Sequence, residues 1–215
     1  MSEDDRVNPE SPWRGRLELL TVVVLSVTTI LTAWSAFQSS KWGGAMSIAF
    51  SQASTARIEA ARLDGTANER QGVQVGLWTQ WVDATSTGDT ARADFIEERF
   101  PEPLASAQVE WLALSPLEDP GAPPSPFALD SYVVPEREEA RAADARADEK
   151  FAEALANNQR GDNYTLMTVL FAAVLFFTAM SGRVRNPRSQ IALLTLAIGL
   201  GVLGITFLAV FPKLV

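Results

Sequence analysis

Residues 163–188, NYTLMTVLFAAVLFFTAMSGRVRNPR, combine an apolar run with a basic loop. The run covers residues 164–180 without a charged side chain, and Arg183, Arg185 and Arg188 follow it closely. About 20 apolar residues in a helix cross a hydrocarbon core of roughly 30 Å, and Lys and Arg accumulate in short loops on the cytoplasmic side. This stretch therefore predicts a transmembrane helix that is followed by a cytoplasmic loop.

Two more apolar segments have the length of a membrane span, residues 17–37 and residues 191–211. Backbone N–H and C=O groups find no water in lipid, so all three segments should be helices. Arg14 and Arg16 precede the first span and indicate that it, too, begins on the cytoplasmic side. A cleaved signal peptide is the alternative for residues 17–37, although this apolar run is longer than a usual signal core.

These spans predict an all-α membrane protein with three transmembrane helices and an extracytoplasmic antiparallel helical hairpin that is capped by short helices. The predicted order is a cytoplasmic disordered tail (1–16), transmembrane helix 1 (17–37), an extracytoplasmic helical domain (38–163), transmembrane helix 2 (164–180), a cytoplasmic basic loop (181–190), transmembrane helix 3 (191–211) and an extracytoplasmic tail (212–215). The N-terminus is then cytoplasmic and the C-terminus extracytoplasmic.

Two stripes of small residues carry the prediction of a hairpin. The stripes are Ala45, Ala49, Gln52, Ala56, Ala60, Leu63 and Ala67, and Ala140, Ala143, Ala147, Phe151, Ala154 and Asn158. Steps of three and four residues put each set on one helix face, and alanine-lined faces let two helices pack closely. Residues 90–99 and 104–114 predict short capping helices, and the proline-rich residues 115–134 predict a loop.

Composition narrows the function classes. The net charge is −8, and the acidic excess lies in residues 38–163, which argues against nucleic acid as a partner. The chain has no cysteine and no histidine, so it lacks disulfides and also the commonest metal ligand and general base. The sequence contains neither a phosphate-binding glycine loop nor a nucleophile elbow. We therefore expect no catalytic residues, no metal site and no cofactor.

Large aromatic residues are the most informative feature outside the predicted spans. They are Trp78, Trp81, Phe95, Phe100 and Trp111, with Phe127 and Tyr132 in the proline-rich loop. Such rings dominate the energetics of many interfaces, so they are a candidate surface for a partner or an apolar ligand. The alternative is that they form the core of the cap where the long helices meet the short ones, and their spacing favours this core.

The third predicted span contains Ala197, Gly201 and Gly204 at intervals of four and three residues. Small residues at such intervals let helix backbones approach closely in a membrane. We expect this face to make a helix contact, either with the other two spans or with another subunit. Leu at Gly201 and Gly204 should then disrupt assembly.

The chain resembles a group of uncharacterised bacterial three-span membrane proteins. The residues that carry the resemblance are 32–38 (TAWSAFQ) with 42–44 (WGG), 79–81 (TQW), 95–101 (FIEERFP) and 158–172 (NQRGDNYTLMTVLFA). The resemblance implies the same three-span layout and a bacterial cytoplasmic membrane. It implies no activity and assigns no functional residues.

These observations predict a non-enzymatic integral membrane protein, an assembly or accessory subunit that acts through its extracytoplasmic helical domain. Its expected partners are the lipid bilayer and either a second copy or another membrane protein. Two alternatives stay open: an extracytoplasmic sensor that binds a small apolar or envelope ligand, and a homo-oligomeric channel lined by Ser and Thr of the first span.

Overall fold

A computed structural model describes residues 12–116 and 118–214, and the regular elements among these residues are all helices. They are α1 (Pro12–Thr87), α2 (Thr90–Glu97), α3 (Leu104–Ala113), a 3-10 turn (Pro126–Ala128), α4 (Pro135–Ser181) and α5 (Pro187–Val210). The prediction of an all-α fold is confirmed for this part of the chain. Residues 1–11 of the predicted disordered tail (1–16) lie outside the described residues, whereas residues 12–16 are helical and belong to α1.

Three of these helices, α1, α4 and α5, contain stretches long and apolar enough to cross a membrane. α1 and α4 contain the predicted spans 17–37 and 164–180, and α5 contains residues 191–210 of the predicted span 191–211. The three helices are consistent with a multi-pass membrane protein. With 76 and 47 residues, α1 and α4 are much longer than the ~20 residues that a bilayer requires. Gly43 and Gly44 both lie within the helical backbone of α1.

The chain divides into two compact units, Met1–Phe50 with Ala152–Val215, and Ser51–Phe151. In the first unit, parts of α1 and α4 pack with α5 around a cluster of mostly apolar residues. The cluster contains Trp42, Tyr164, Met167, Phe171, Val174, Ala197 and Leu208. Many large side chains outside it are exposed, for example Ile30, Val169 and Val210, which suits helices whose outer faces meet lipid.

Polar groups of the first unit hold the segment that follows α5. Gln38 is fully buried, and its amide accepts the backbone N–H of Leu214 at 3.0 Å and donates to the Leu214 carbonyl at 3.2 Å. The Tyr164 hydroxyl donates to the carbonyl of Pro212 at 3.0 Å. Because Gln38 and Tyr164 lie inside the packed unit, these bonds satisfy polar atoms that burial would otherwise leave unpaired.

In the second unit, the buried face of α1 repeats every seven residues. Ala53, Ala60, Ala67, Gln74 and Trp81 are all buried and follow this interval without a break. A seven-residue repeat is the signature of coiled-coil packing at 3.5 residues per turn. α1 and α4 therefore meet along a narrow seam of mostly small side chains. Its buried residues include Leu63 of α1 and Ala140 and Ala143 of α4.

The structure corrects three positions of the predicted stripes, one on α1 and two on α4. Gln52 is exposed and Ala53 is buried in its place, while Phe151 is 47% exposed. Asn158 is exposed and Asn157 is buried. Steps of three and four alternate along the seam, so one step taken in the wrong order shifts the assigned face by about 100°.

Ion pairs join α1 to α4 along the second unit, and residues late in α1 pair with residues early in α4. Arg70 binds Glu136 at 2.5 Å, Arg137 binds Asp64 at 3.2 Å, and Arg57 binds Asp144 at 2.5 Å. Most of these side chains are at least a third exposed, and exposed pairs add little stability. Their main effect is on register, since each pair fixes one residue of α1 opposite one of α4.

Candidate interaction site in the cap

The cap, residues 81–134, consists of the last two turns of α1 and the segments between α1 and α4. Gly88 has a φ of +76° and lies directly after α1, and glycine adopts this left-handed conformation without a steric penalty. The Asp89 side chain then accepts the backbone N–H of Arg92 at 3.1 Å and caps α2. These two residues turn the chain so that α2 and α3 can pack beside the end of α1.

Three of the predicted site residues, Trp81, Phe100 and Trp111, are buried with less than a tenth of their surface exposed. The Trp78 ring is half-buried and stacks on Trp81 at a centroid distance of 5.0 Å. The Trp111 ring meets Trp78 edge-on at 5.1 Å. Geometries of this kind stabilise aromatic pairs beyond the area they bury, so these four residues belong to the core of the cap.

The buried indole N–H groups of the cap are satisfied. Trp81 donates through Nε1 to the Glu97 carboxylate at 2.9 Å, and Trp111 donates through Nε1 to the Pro123 carbonyl at 2.6 Å. A buried donor without a partner would cost free energy. The bond from Trp111 also anchors the proline-rich loop to α3, which explains why a segment with so many prolines is ordered against the helices.

Phe95 lies outside the aromatic cluster with which the sequence grouped it. Its side chain is 57% exposed, and the Arg99 guanidinium lies 3.7 Å from the centre of its ring. The inward positions of α2 are Ala93 and Ile96, and Phe100 follows them inward. Phe95 precedes Ile96 by one residue and is therefore rotated by about 100° away from the core.

A buried amide, which the sequence analysis did not single out, connects three segments of the second unit. Gln74 is fully buried, donates through Nε2 to the Glu102 carbonyl at 3.0 Å, and accepts the Tyr132 hydroxyl proton at 2.7 Å. Burial raises the pKa of the Tyr132 phenol above its ordinary value, which already keeps the hydroxyl protonated at neutral pH. The only signal in the sequence is that Gln74 lies seven residues from both Ala67 and Trp81.

An apolar groove of about 560 Å³ runs beside the aromatic cluster, between the end of α1 and α3. Its lining residues are Trp81, Val82, Thr85, Ser86, Trp111, Leu112, Ser115, Pro116 and Glu118. The indole rings of Trp81 and Trp111 are largely buried, whereas Val82 and Leu112 are each 42% exposed. The groove is thus an accessible apolar surface with buried tryptophan rings in its lining, and that lining also includes the polar residues Thr85, Ser86, Ser115 and Glu118.

The cap that contains this groove is strongly acidic, and Glu118 lines the groove. It contains ten carboxylates and two arginines, Arg92 and Arg99. Arg92 pairs with Asp83 at 3.4 Å and Arg99 with Glu98 at 3.5 Å. Within the described residues, no cation pairs with the other eight, which are Asp89, Asp94, Glu97, Glu102, Glu110, Glu118, Asp119 and Asp130. With ten carboxylates and two arginines, the cap therefore carries an excess of negative charge that other described residues do not pair.

The small residues of the third predicted span face α4 of the same chain. Ala197 is fully buried, and Gly201 lies opposite Val174. A Cβ built on Gly204 would lie 2.7 Å and 2.9 Å from two ring carbons of Phe171. Only glycine fits at this contact without displacing the ring, so the stripe is used for packing within the first unit.

The arginines that set the predicted orientation are exposed where the structure describes them. Arg16, Arg183, Arg185 and Arg188 all have exposed side chains, while the side chain of Arg14 lies outside the described residues.

Among the residues in the structure, no group of three or more acidic side chains is arranged to hold a metal ion. Comparisons with models of protein families, with curated proteins and with solved structures find no match to this chain.

Proposed function

We propose that this protein is a non-enzymatic subunit of a bacterial membrane assembly that acts on a partner through an extracytoplasmic helical domain. The apolar groove of the cap carries the proposal, because it exposes Val82 and Leu112 over a base of tryptophan rings. An accessible apolar surface rimmed by polar groups is typical of interaction sites. The groove lining offers no paired nucleophile and base, so binding is the activity that it supports.

The proposed topology follows from the basic residues. Arg183, Arg185 and Arg188 lie between the apolar stretches of α4 and α5, and short loops rich in Lys and Arg stay cytoplasmic. The N-terminus is then cytoplasmic as well, and residues 38–163 are outside. Ion pairs that join late residues of α1 to early residues of α4 support an antiparallel hairpin within the second unit.

Single cysteines test this topology, since the chain has none of its own. Ser54→Cys and Ser189→Cys each change one exposed residue by a single atom. In intact cells we expect a membrane-impermeant maleimide to label Cys at 54 and to label Cys at 189 only after permeabilisation. The chain without cysteine is the control, and the reverse labelling pattern would contradict the proposed orientation.

The role as a subunit is tested by native mass spectrometry of the tagged protein taken from its own membranes in a mild detergent. We expect a second protein at fixed stoichiometry. A homo-oligomer without a second protein would contradict an accessory role and shift support to a scaffold or a channel. A monomer that retains a small molecule would support a sensor instead.

The sensor is the second candidate, because a volume of about 560 Å³ lies within the range of small-molecule sites. The channel draws less support. The hydroxyl groups of Thr29, Thr32 and Ser35 each donate to the carbonyl four residues earlier in α1. A hydroxyl that is bonded to its own helix is a weaker lining for a water-filled pore.

A further inference from the structure

We infer that the groove of the cap binds a basic amphipathic helix of the partner protein. The inference rests on the proposed function and deepens it by naming the chemistry of the partner. It is argued from three properties of the groove: its shape, its apolar base and the charge around it.

The shape of the groove suits a helix. The end of α1 supplies Trp81, Val82 and Thr85, and α3 with the residues after it supplies Trp111, Leu112 and Ser115. Two rows of side chains on neighbouring helices form a trough into which a third helix can lay residues spaced at i, i+3, i+4 and i+7. Recognition of this kind needs an open trough, and the partial exposure of Val82 and Leu112 leaves this one open.

The base of the groove supplies rigid anchors. Trp81 and Trp111 are each tied down by a hydrogen bond from Nε1 and by a ring contact with Trp78. Tryptophan is among the residues that contribute most to binding energy at interfaces. Side chains that are already fixed lose little rotamer entropy when a partner binds.

The charge of the cap selects a cationic partner. Eight carboxylates of the cap have no cation opposite them among the described residues, and Glu118 lines the groove itself. Complementary charge at the rim of an interface accelerates association and disfavours partners of like charge. A helix with an apolar face flanked by Lys or Arg complements both the apolar base of the groove and the negative charge of the cap. An acidic amphipathic helix complements only the apolar base.

The experiment uses the full chain in phosphatidylcholine nanodiscs and three labelled synthetic peptides of about 14 residues, or four helical turns. One is a Leu/Lys amphipathic helix, one has the same composition in an order that removes the apolar face, and one is a Leu/Glu amphipathic helix. Binding is measured by fluorescence anisotropy, and binding to empty nanodiscs is subtracted. We expect the Leu/Lys helix to bind at least about tenfold more tightly than either of the others.

The combined variant Val82→Lys and Leu112→Lys should weaken binding of the Leu/Lys helix by at least about tenfold. Its matched control is Val73→Lys with Val109→Lys, which changes one exposed valine on each of the same two helices outside the groove. The control should bind within about twofold of the unaltered chain. Because all four positions are exposed, we expect both variants to fold. Melting temperatures equal to that of the unaltered chain will show that they do.

Three results would overturn the inference: equal binding by the groove variant, equal binding of the Leu/Glu helix, or no binding above empty nanodiscs. Saturable binding of oleate that Val82→Lys abolishes, without any peptide binding, would assign the groove to a small ligand and overturn it as well. The proposed function is tested separately, by whether a second protein co-purifies with the chain. A second protein that co-purifies equally with the groove variant would keep the accessory role and remove the groove from it.

Discussion

Leu in place of Gly204 is expected to lower the free energy of unfolding by about 3 kcal/mol, the upper part of the usual range for an overpacked core. The Cβ alone would lie 2.7 Å from a ring carbon of Phe171 and 3.2 Å from Cδ2 of Leu170. Phe171 is fully buried, so its ring has no open space to enter. The loss should appear as a lower midpoint in chemical denaturation of the full chain in detergent micelles.

Two other glycines of α5 provide controls for this result. Outside the neighbouring backbone of α5, no atom lies within 4 Å of a Cβ at Gly199, and a Cβ at Gly201 would be 3.8 Å from Val174, an ordinary contact. The free energies of unfolding of Gly199→Leu and Gly201→Ala should therefore lie within about 0.5 kcal/mol of that of the unaltered chain. If Gly204→Leu were as stable as Gly199→Leu, the close contact between α5 and α4 would be refuted.

The same variants separate packing within the chain from assembly between chains. The small-residue stripe predicted a contact of the third span but left its partner open. In the structure, Gly204 and Gly201 meet Phe171 and Val174 of α4. A drop in stability at constant particle mass would assign the stripe to internal packing, and a loss of particle mass with unchanged stability would assign it to assembly.

The sequence predicts the helices well because their signals are local. An uncharged apolar run, Gly88 after α1 and Pro135 at the start of α4 each act on the residues next to them. The seam between α1 and α4 is harder to place, since a repeat of 3.5 residues is resolved only over many turns. For this reason the predicted stripes place Gln52 and Asn158 on the buried face, although each lies one position from it.

The groove and its surroundings depend on contacts that no local pattern encodes. Trp81 and Trp111 are 30 positions apart in the chain, and the groove exists only because α2 and the turn after it bring α3 beside the end of α1. Phe95 is a large apolar residue of the kind found in cores, but its position on the short helix α2 points its side chain away from the core. The aromatic cluster could thus be predicted as a set, whereas its members could not be sorted into buried and exposed.

Gln74 is the buried residue whose replacement should affect the cap most. Gln74→Leu removes the donor to the Glu102 carbonyl and the acceptor of the Tyr132 hydroxyl, and both partners stay where they are. Each buried polar group without a partner costs roughly 1–3 kcal/mol, so we expect a loss of about 3 kcal/mol in the free energy of unfolding. Denaturation monitored by tryptophan fluorescence measures it, because three of the six tryptophans lie in or beside the cap.

A double-mutant cycle shows whether the loss arises from the unpaired hydroxyl. Tyr132→Phe removes that hydroxyl, so Gln74→Leu should cost at least about 1 kcal/mol less in the Tyr132→Phe background than in the unaltered chain. Gln80→Leu is the matched control, since Gln80 lies on the same helix, is exposed and, among the described residues, bonds only to the Gly76 carbonyl. Additive losses in the cycle would contradict the bond between Gln74 and Tyr132. Coupled losses would establish that this amide joins the end of α1 to the loop before α4.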